Sequence, residues 1–268
     1  MVELPFKNKN KPISSVDVAV SNYSEKEFRS PMRSTVPLLS WLKHEEPAVR
    51  RLLLDLGMPA DSSMYLEYQV PVQKGKGVAS HTDLMVRSSD CSLAVEAKWT
   101  EPRYETVRAW LKKGKAPQNR KDVFEGWLGL LQPRAGRRLA IEDFHGAIYQ
   151  MVHRAASSCA EINSPRMVYL VFRDRSRPEL KNAEEIKSDM EHLWKLMGRP
   201  QDFPFYLVEQ PFWPTPAFEE IFKLWKPDKT NTDKTTPYKE ISENVKSALY
   251  GGSKLFSFEK YSVTKIGE

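Results

Sequence analysis

Cysteine is nearly absent from the chain: Cys91 and Cys159 are the only two among 268 residues. Two cysteines build no disulfide framework, so a reducing cytoplasm is the expected compartment. Neither has a second cysteine or a histidine at finger spacing, which excludes a zinc finger. Long apolar runs are missing too. No window of about twenty apolar residues occurs, so neither a membrane span nor a membrane partner is expected. The start, MVELPFKNKNKP, has no apolar run after a basic end, so no signal peptide is expected. No internal repeat is visible. Acids are the minority charge, 35 Asp and Glu against 41 Lys and Arg. The resulting net charge of +6 and pI near 9.1 favour an anionic partner. What is present is core material: 40% hydrophobic residues and seven Trp, enough for one large domain or one domain with an appendage.

Residues 1–34 are polar and read as an irregular N-terminal segment. Residues 35–57 space their apolar positions helically, with a break near Pro47 and a stop at Gly57. MYLEYQVPV (64–72) alternates as a strand does, and QKGKG (73–77) is a turn. Strands follow over 80–87 and 91–99. Next come a helix from Arg103 to Leu111, a loop KKGKAPQNR, and helices over 121–131 and 141–162. RMVYLVFRD (166–174) reads as a buried strand, followed by a helix and the strand FPFYLVEQPF. This order predicts an α/β fold, a mixed central β-sheet flanked by helices, over a domain of 35–225. Residues 226–268 read as a polar, proline-punctuated connector and a C-terminal extension packed on the same domain.

The strand SLAVEAKW carries two charges in an apolar setting. Side chains alternate faces, so Glu96 and Lys98 share one face and Val95, Ala97 and Trp99 the other. On the strand before it, Asp83 shares a face with His81. Asp83, Glu96 and the carbonyl of Ala97 can offer oxygens to a hard dication, which completes its shell with water and phosphate oxygens. Lys98 projects to the same side about 6.5–7 Å further along. There its ammonium could orient a metal-bound water or stabilise charge on a phosphate. If strand 64–72 pairs with 80–87, Glu67 reaches the same face and could serve a second ion or a metal-bound water.

Asp83, twelve intervening residues, then Glu96-Ala97-Lys98 resembles the signature of the PD-(D/E)XK phosphodiesterase superfamily, the restriction-endonuclease-like fold. The motif covers about twenty residues; the likeness in element order extends over 35–210. Thr82 stands where that signature often has proline. The resemblance implies a restriction-endonuclease-like core, Asp83 and Glu96 as metal ligands, Lys98 as catalytic lysine and Glu67 as an accessory acid. It also implies Mg2+ as cofactor, with Mn2+ able to substitute. In parts of the superfamily a Gln and a Tyr on a helix behind the site hold substrate or position the lysine. Here Tyr149 and Gln150 occur in the other order, so Gln150, like His81, is a candidate for supporting contacts only. Glu45 and Glu46 read as an exposed helix face, and Trp99, Trp110 and Trp127 as core.

Residues 103–138 hold ten Lys and Arg against three acids, a local +7 directly downstream of Lys98. Within it Lys112, Lys113, Lys115, Arg120 and Lys121 are candidate phosphate contacts, and Gln118 and Asn119 could read base edges. The expected activity is Mg2+-dependent endonucleolytic hydrolysis of nucleic acid, DNA in preference to RNA, of restriction, phage-defence or repair type. A homodimer would supply the two sites that cutting both strands needs. Two alternatives stay open. One is a catalytically inactive nucleic-acid-binding or interaction protein that retains the nuclease fold. The other is an unrelated α/β protein whose basic face meets acidic partners.

Overall fold

In the strand Ser164–Asp174, Val168, Leu170 and Phe172 bury into one apolar layer, while Met167, Tyr169 and Val171 bury into another. A strand covered on both faces marks the centre of an α/β/α sandwich. The computed structural model describes residues 2–4, 11–13, 15–114, 116–160, 164–180, 183–225 and 236–268. Its first elements are β1 (Val2–Leu4), β2 (Lys11–Ile13), α1 (Val16–Asn22), α2 (Thr35–His44) and α3 (Glu46–Asp55). The meander β3 (Ser63–Val70), β4 (Ser80–Arg87) and β5 (Cys91–Lys98) follows. Next are α4 (Val107–Lys112), α5 (Pro117–Leu131), α6 (Tyr149–Ser158), β6 (Ser164–Asp174), α7 (Ala183–Leu196) and β7 (Phe205–Pro214). The chain closes with α8 (Pro216–Leu224), α9 (Thr236–Tyr250), β8 (Phe256–Phe258) and β9 (Ser262–Lys265).

The strands form one mixed sheet ordered β2-β1-β3-β4-β5-β6-β7-β8, with β9 also paired to β7. β3, β4 and β5 run antiparallel, whereas β5, β6 and β7 are parallel and joined by helical crossovers. One layer packs α1, α2, α3, α8 and α9 on the sheet, through residues such as Trp41, Leu52, Phe218 and Val245. The other packs α4 to α7, through Val107, Phe124, Val152 and Leu193. The expected mixed sheet flanked by helices is therefore the fold.

Several boundaries differ from the sequence reading, each for a local reason. Residues 1–34 are not wholly irregular. β1 and β2 lie in the sheet; Ser15 caps α1 by accepting the Val18 N–H (3.4 Å), and Tyr23 and Phe28 are core residues. Pro117, a residue tolerated in a helix's first turn, starts α5 early, so Gln118, Asn119 and Arg120 are helical and not loop. Of the helix read over 141–162, the part before Tyr149 is not α-helical, because Ile148 is extended and bridges to Thr106. The basic residue Lys115 and the stretch 226–235 of the connector lie outside the described residues.

β3 departs from simple alternation. Leu66 buries in the first layer, yet Val70, of the same parity, buries in the second, and Tyr68 packs there too. The cause is Glu67, whose φ of +50° puts a non-glycine residue in the left-handed region. β4 follows: Leu84 and Val86 face the first layer, whereas Ser80 bonds side chains of α6. The hairpin thus changes sides at the level of Glu67 and Asp83.

Candidate active site at the fork of the central strands

The side change opens a fork. β3 pairs with β4 on either side of Glu67 and Asp83, but the two residues themselves are unpaired. The β4–β5 ladder ends at Leu84 and Val95, one position short of Asp83 and Glu96. The Ala97 N–H, left without a strand partner on that side, donates to Asp83 Oδ2 at 2.7 Å. A strand residue's N–H and C=O point to the same edge, so the Ala97 carbonyl also faces the fork.

Glu96 and Lys98 project towards α6, as the alternation predicted. Both are buried, at 3% and 7% exposure, so the fork's polar groups must satisfy one another. Glu96 Oε1 accepts from Lys98 Nζ (2.9 Å) and from Gln150 Nε2 (2.8 Å). Gln150 Oε1 in turn accepts from Lys98 Nζ at 2.9 Å. Arg154 Nε donates to Glu96 Oε2, and its Nη1 to Ser80 Oγ at 2.7 Å. Burial alone would raise the Glu96 carboxyl, but Arg154 and Lys98 outweigh it and hold it below the usual range. Burial likewise works against the Lys98 charge, and Glu96 and Asp83 overcome that, so Lys98 stays an ammonium.

The other two acids are held the opposite way. Burial, then the charges of Glu96 and Glu67, push Asp83 well above the ordinary aspartate value. Burial, then Glu27, raise Glu67 to about 7. His81 Nδ1 stands 3.9 Å from Glu67 Oε2, with burial and Arg154 favouring its neutral form. Glu67, His81, Asp83, Glu96, Ala97 and Lys98 all line one open cavity of about 550 Å3. The fork therefore gathers three carboxyl groups, of which Glu96 is held ionised and Asp83 and Glu67 are biased towards their protonated forms. Among the described residues no three His, Cys, Asp or Glu side chains stand together closely enough to hold an ion alone. Asp83, Glu96 and the Ala97 carbonyl are all hard oxygen donors, the kind that Mg2+ takes while keeping several waters.

Some residues at this cavity were not legible in the sequence. Arg154 is the main one, and its only signal was its position one helical turn beyond Gln150. Glu101 accepts the Trp99 N–H (2.8 Å) and the Ser34 N–H (2.7 Å), tying the end of β5 to the start of α2. Tyr104 is half exposed, with Lys98 Nζ 5.2 Å from its ring centre. Glu46 pairs with Arg50 on the surface.

The basic segment divides. Lys113 reaches the cavity mouth and pairs with Glu105 at 2.8 Å. Lys112 and Lys121 are exposed, with no ion pair among the described residues. Arg120, expected on phosphate, lies over the Trp110 ring (4.6 Å) and donates to the Trp110 carbonyl. Gln118 and Asn119, the candidates for base edges, also have partners within the protein. Gln118 bonds Asp122, and Asn119 clamps both the N–H and the carbonyl of Lys76.

Residues 12–203 match the model of a family described as a domain of unknown function, DUF6946. The chain belongs to that family. The DUF6946 segment includes Glu67, Asp83, Glu96, Lys98, Gln150 and Arg154, and ends before β7. No curated protein and no solved structure matches the chain.

Proposed function

We propose that this DUF6946 chain is a Mg2+-dependent endonuclease with a restriction-endonuclease-like core, hydrolysing phosphodiester bonds of DNA in preference to RNA. The observation that carries the reading is the fork, where Asp83, Glu96 and Lys98 converge on one open cavity. Asp83, Glu96 and the Ala97 carbonyl would hold the ion, which when bound supplies Lewis acidity and an activated water. Mn2+ could take the same oxygens.

Lys98 is charged and fixed by two hydrogen bonds, which suits it to steer the attacking water or offset charge on the phosphate. It is too well stabilised as an ammonium to serve as the base. Arg154 and Gln150 are positioning residues that keep Glu96 ionised and Lys98 in place. Glu67 stands beside Asp83 as the accessory acid. Lys112, Lys113 and Lys121 lie on the adjoining helical segment as backbone-phosphate contacts. Cutting both strands of a duplex calls for two such sites, which a homodimer provides. Among the described residues no helix is long and apolar enough to cross a membrane.

One observation favours a second reading. Both oxygens of Glu96 already accept hydrogen bonds from side chains, as they would in a binding module that keeps the fold without the chemistry. Incubation with supercoiled plasmid separates the two. The nuclease nicks or linearises it with Mg2+, and EDTA abolishes the reaction. Lys98→Ala is expected to lose about 100-fold or more in rate while still shifting DNA in a gel. Normal cleavage by Lys98→Ala overturns the role given to Lys98. A Mg2+-independent shift with no cleavage by the parent establishes the binding module instead.

A further inference from the structure

Behind the Glu96–Arg154 pair lies a second cavity of about 390 Å3, within the usual range for small-ligand sites. Its walls differ from those of the fork. No acidic residue lines it; Arg120 and Lys76 are its cations, and Val72, Val123, Trp127 and Tyr149 supply apolar and aromatic surface. Trp110 stacks on Tyr149 at 3.8 Å, and Arg120 covers its other face, so Trp110 meets a ligand by its edge. His153 lies beside Tyr149, its Nδ1 engaged with Ser80 Oγ at 2.9 Å.

The remaining wall is the β3–β4 loop, and it is pinned. Asn119 grips Lys76 from both sides at 2.7 and 2.8 Å. A Cβ on Gly126 would lie 2.9 Å from the Lys74 nitrogen, so the loop sits directly on α5. The cavity is therefore preformed. Among the described residues no backbone hydrogen bond engages Gly77 or Val78, and both residues line the cavity. Glycine at position 77 leaves that backbone uncovered to a close neighbour.

Apolar walls for a flat ring, peptide groups without a backbone partner for its polar edge, and two cations with no acid in the lining describe one class of ligand. We propose that this cavity binds a nucleotide unit, a heterocyclic base carrying an anionic phosphate. The base enters between Val72, Val123 and the aromatic edges, and the phosphate lies towards Arg120 and Lys76. Arg154 spans the wall between the two cavities, bonded to Glu96 on one side and Ser80 on the other. An occupant that steadies Ser80 and His153 thereby steadies the candidate acid. The site itself does not depend on the nuclease reading, because it needs neither the ion nor the reaction.

The test is calorimetric titration of the full chain, in EDTA, with each common ribo- and deoxyribonucleoside 5′-monophosphate. At least one is expected to bind, and its uncharged nucleoside about tenfold more weakly. A Cβ at Gly77 would meet only Val72 and Val123, at 3.5 and 3.8 Å, so Gly77→Leu fills the cavity without strain and should weaken binding about tenfold or more. Circular dichroism checks that this variant is folded. Arg120→Gln is expected to weaken the monophosphate more than the nucleoside. Binding of a short oligonucleotide with one abasic position then identifies the source. If the abasic lesion and Gly77→Leu cost the same affinity and do not add, the unit comes from a bound strand. If only the free monophosphate responds to Gly77→Leu, the ligand is a free nucleotide. No binding by any monophosphate, equal binding by the nucleoside, or unaltered binding by folded Gly77→Leu each overturns the proposal.

Discussion

Glu67 combines a left-handed backbone, a strain of roughly 1–2 kcal/mol, with a carboxyl group raised to about 7 from an ordinary 4.5. Such costs persist where the surroundings enforce them, and they gather at functional sites. The folded protein binds this proton more tightly than the unfolded chain does. The stabilisation is fully present below pH 4.5 and is lost as pH rises through about 7. Glu67→Gln, which cannot ionise, is expected to gain about 1–3 kcal/mol on the parent between pH 4 and pH 8. Urea unfolding in EDTA at both pH values measures it; an unchanged difference refutes the assignment. Nothing in YLEYQ asks for a positive φ at Glu67, so the kink was not legible. Asp83, Glu96 and Lys98 were legible because alternation holds along β5 and the two acids meet across a short hairpin. Arg154 was hidden: an arginine on a helix looks solvent-bound until the partner that buries it is known.

At the scale of elements, the long strands β3 to β7 were readable, whereas β1, β2 and the helix starts were not. Long alternating or wholly apolar runs reveal strands whatever their neighbours, as in β5 and β6. The start of α6 depends on a single bridge between Thr106 and Ile148, a distant pairing that periodicity cannot report. Pro117 marked the start of α5, but the polar residues after it resembled a loop. The difference bears on strand binding, since Arg120 and Asn119 are half-buried against neighbours whereas Lys112 and Lys121 stand exposed. Replacing Lys112 and Lys121 by Gln is expected to weaken DNA binding for all sequences alike. The slope of log affinity against log salt should flatten by about 0.9 for each duplex phosphate that is no longer neutralised. Fluorescence anisotropy across a salt series reads both effects. An unchanged slope would place the nucleic acid elsewhere.

For the molecule as a whole, a fork rich in buried carboxylates leaves folding sensitive to any cation that occupies it. Mg2+ at about 100 times its dissociation constant adds some 2.7 kcal/mol of stability, or roughly 5 °C in Tm for a chain of this size. The shift is expected at pH 8 and reduced at pH 5, where Glu67, raised to about 7, holds its proton. Asp83→Asn should remove it. Scanning fluorimetry with Mg2+ or EDTA at each pH provides the comparison, and a shift surviving in Asp83→Asn rules the fork out as the binding place. The change of sides at Glu67 has a broader consequence. The base of the β3–β4 hairpin is rooted under one helical layer and its arm under the other, so this single ribbon works as a rivet through the sandwich. Neither outer layer can lift away without drawing the ribbon with it. Loosening on either face is therefore felt at the pivot, where the acids stand.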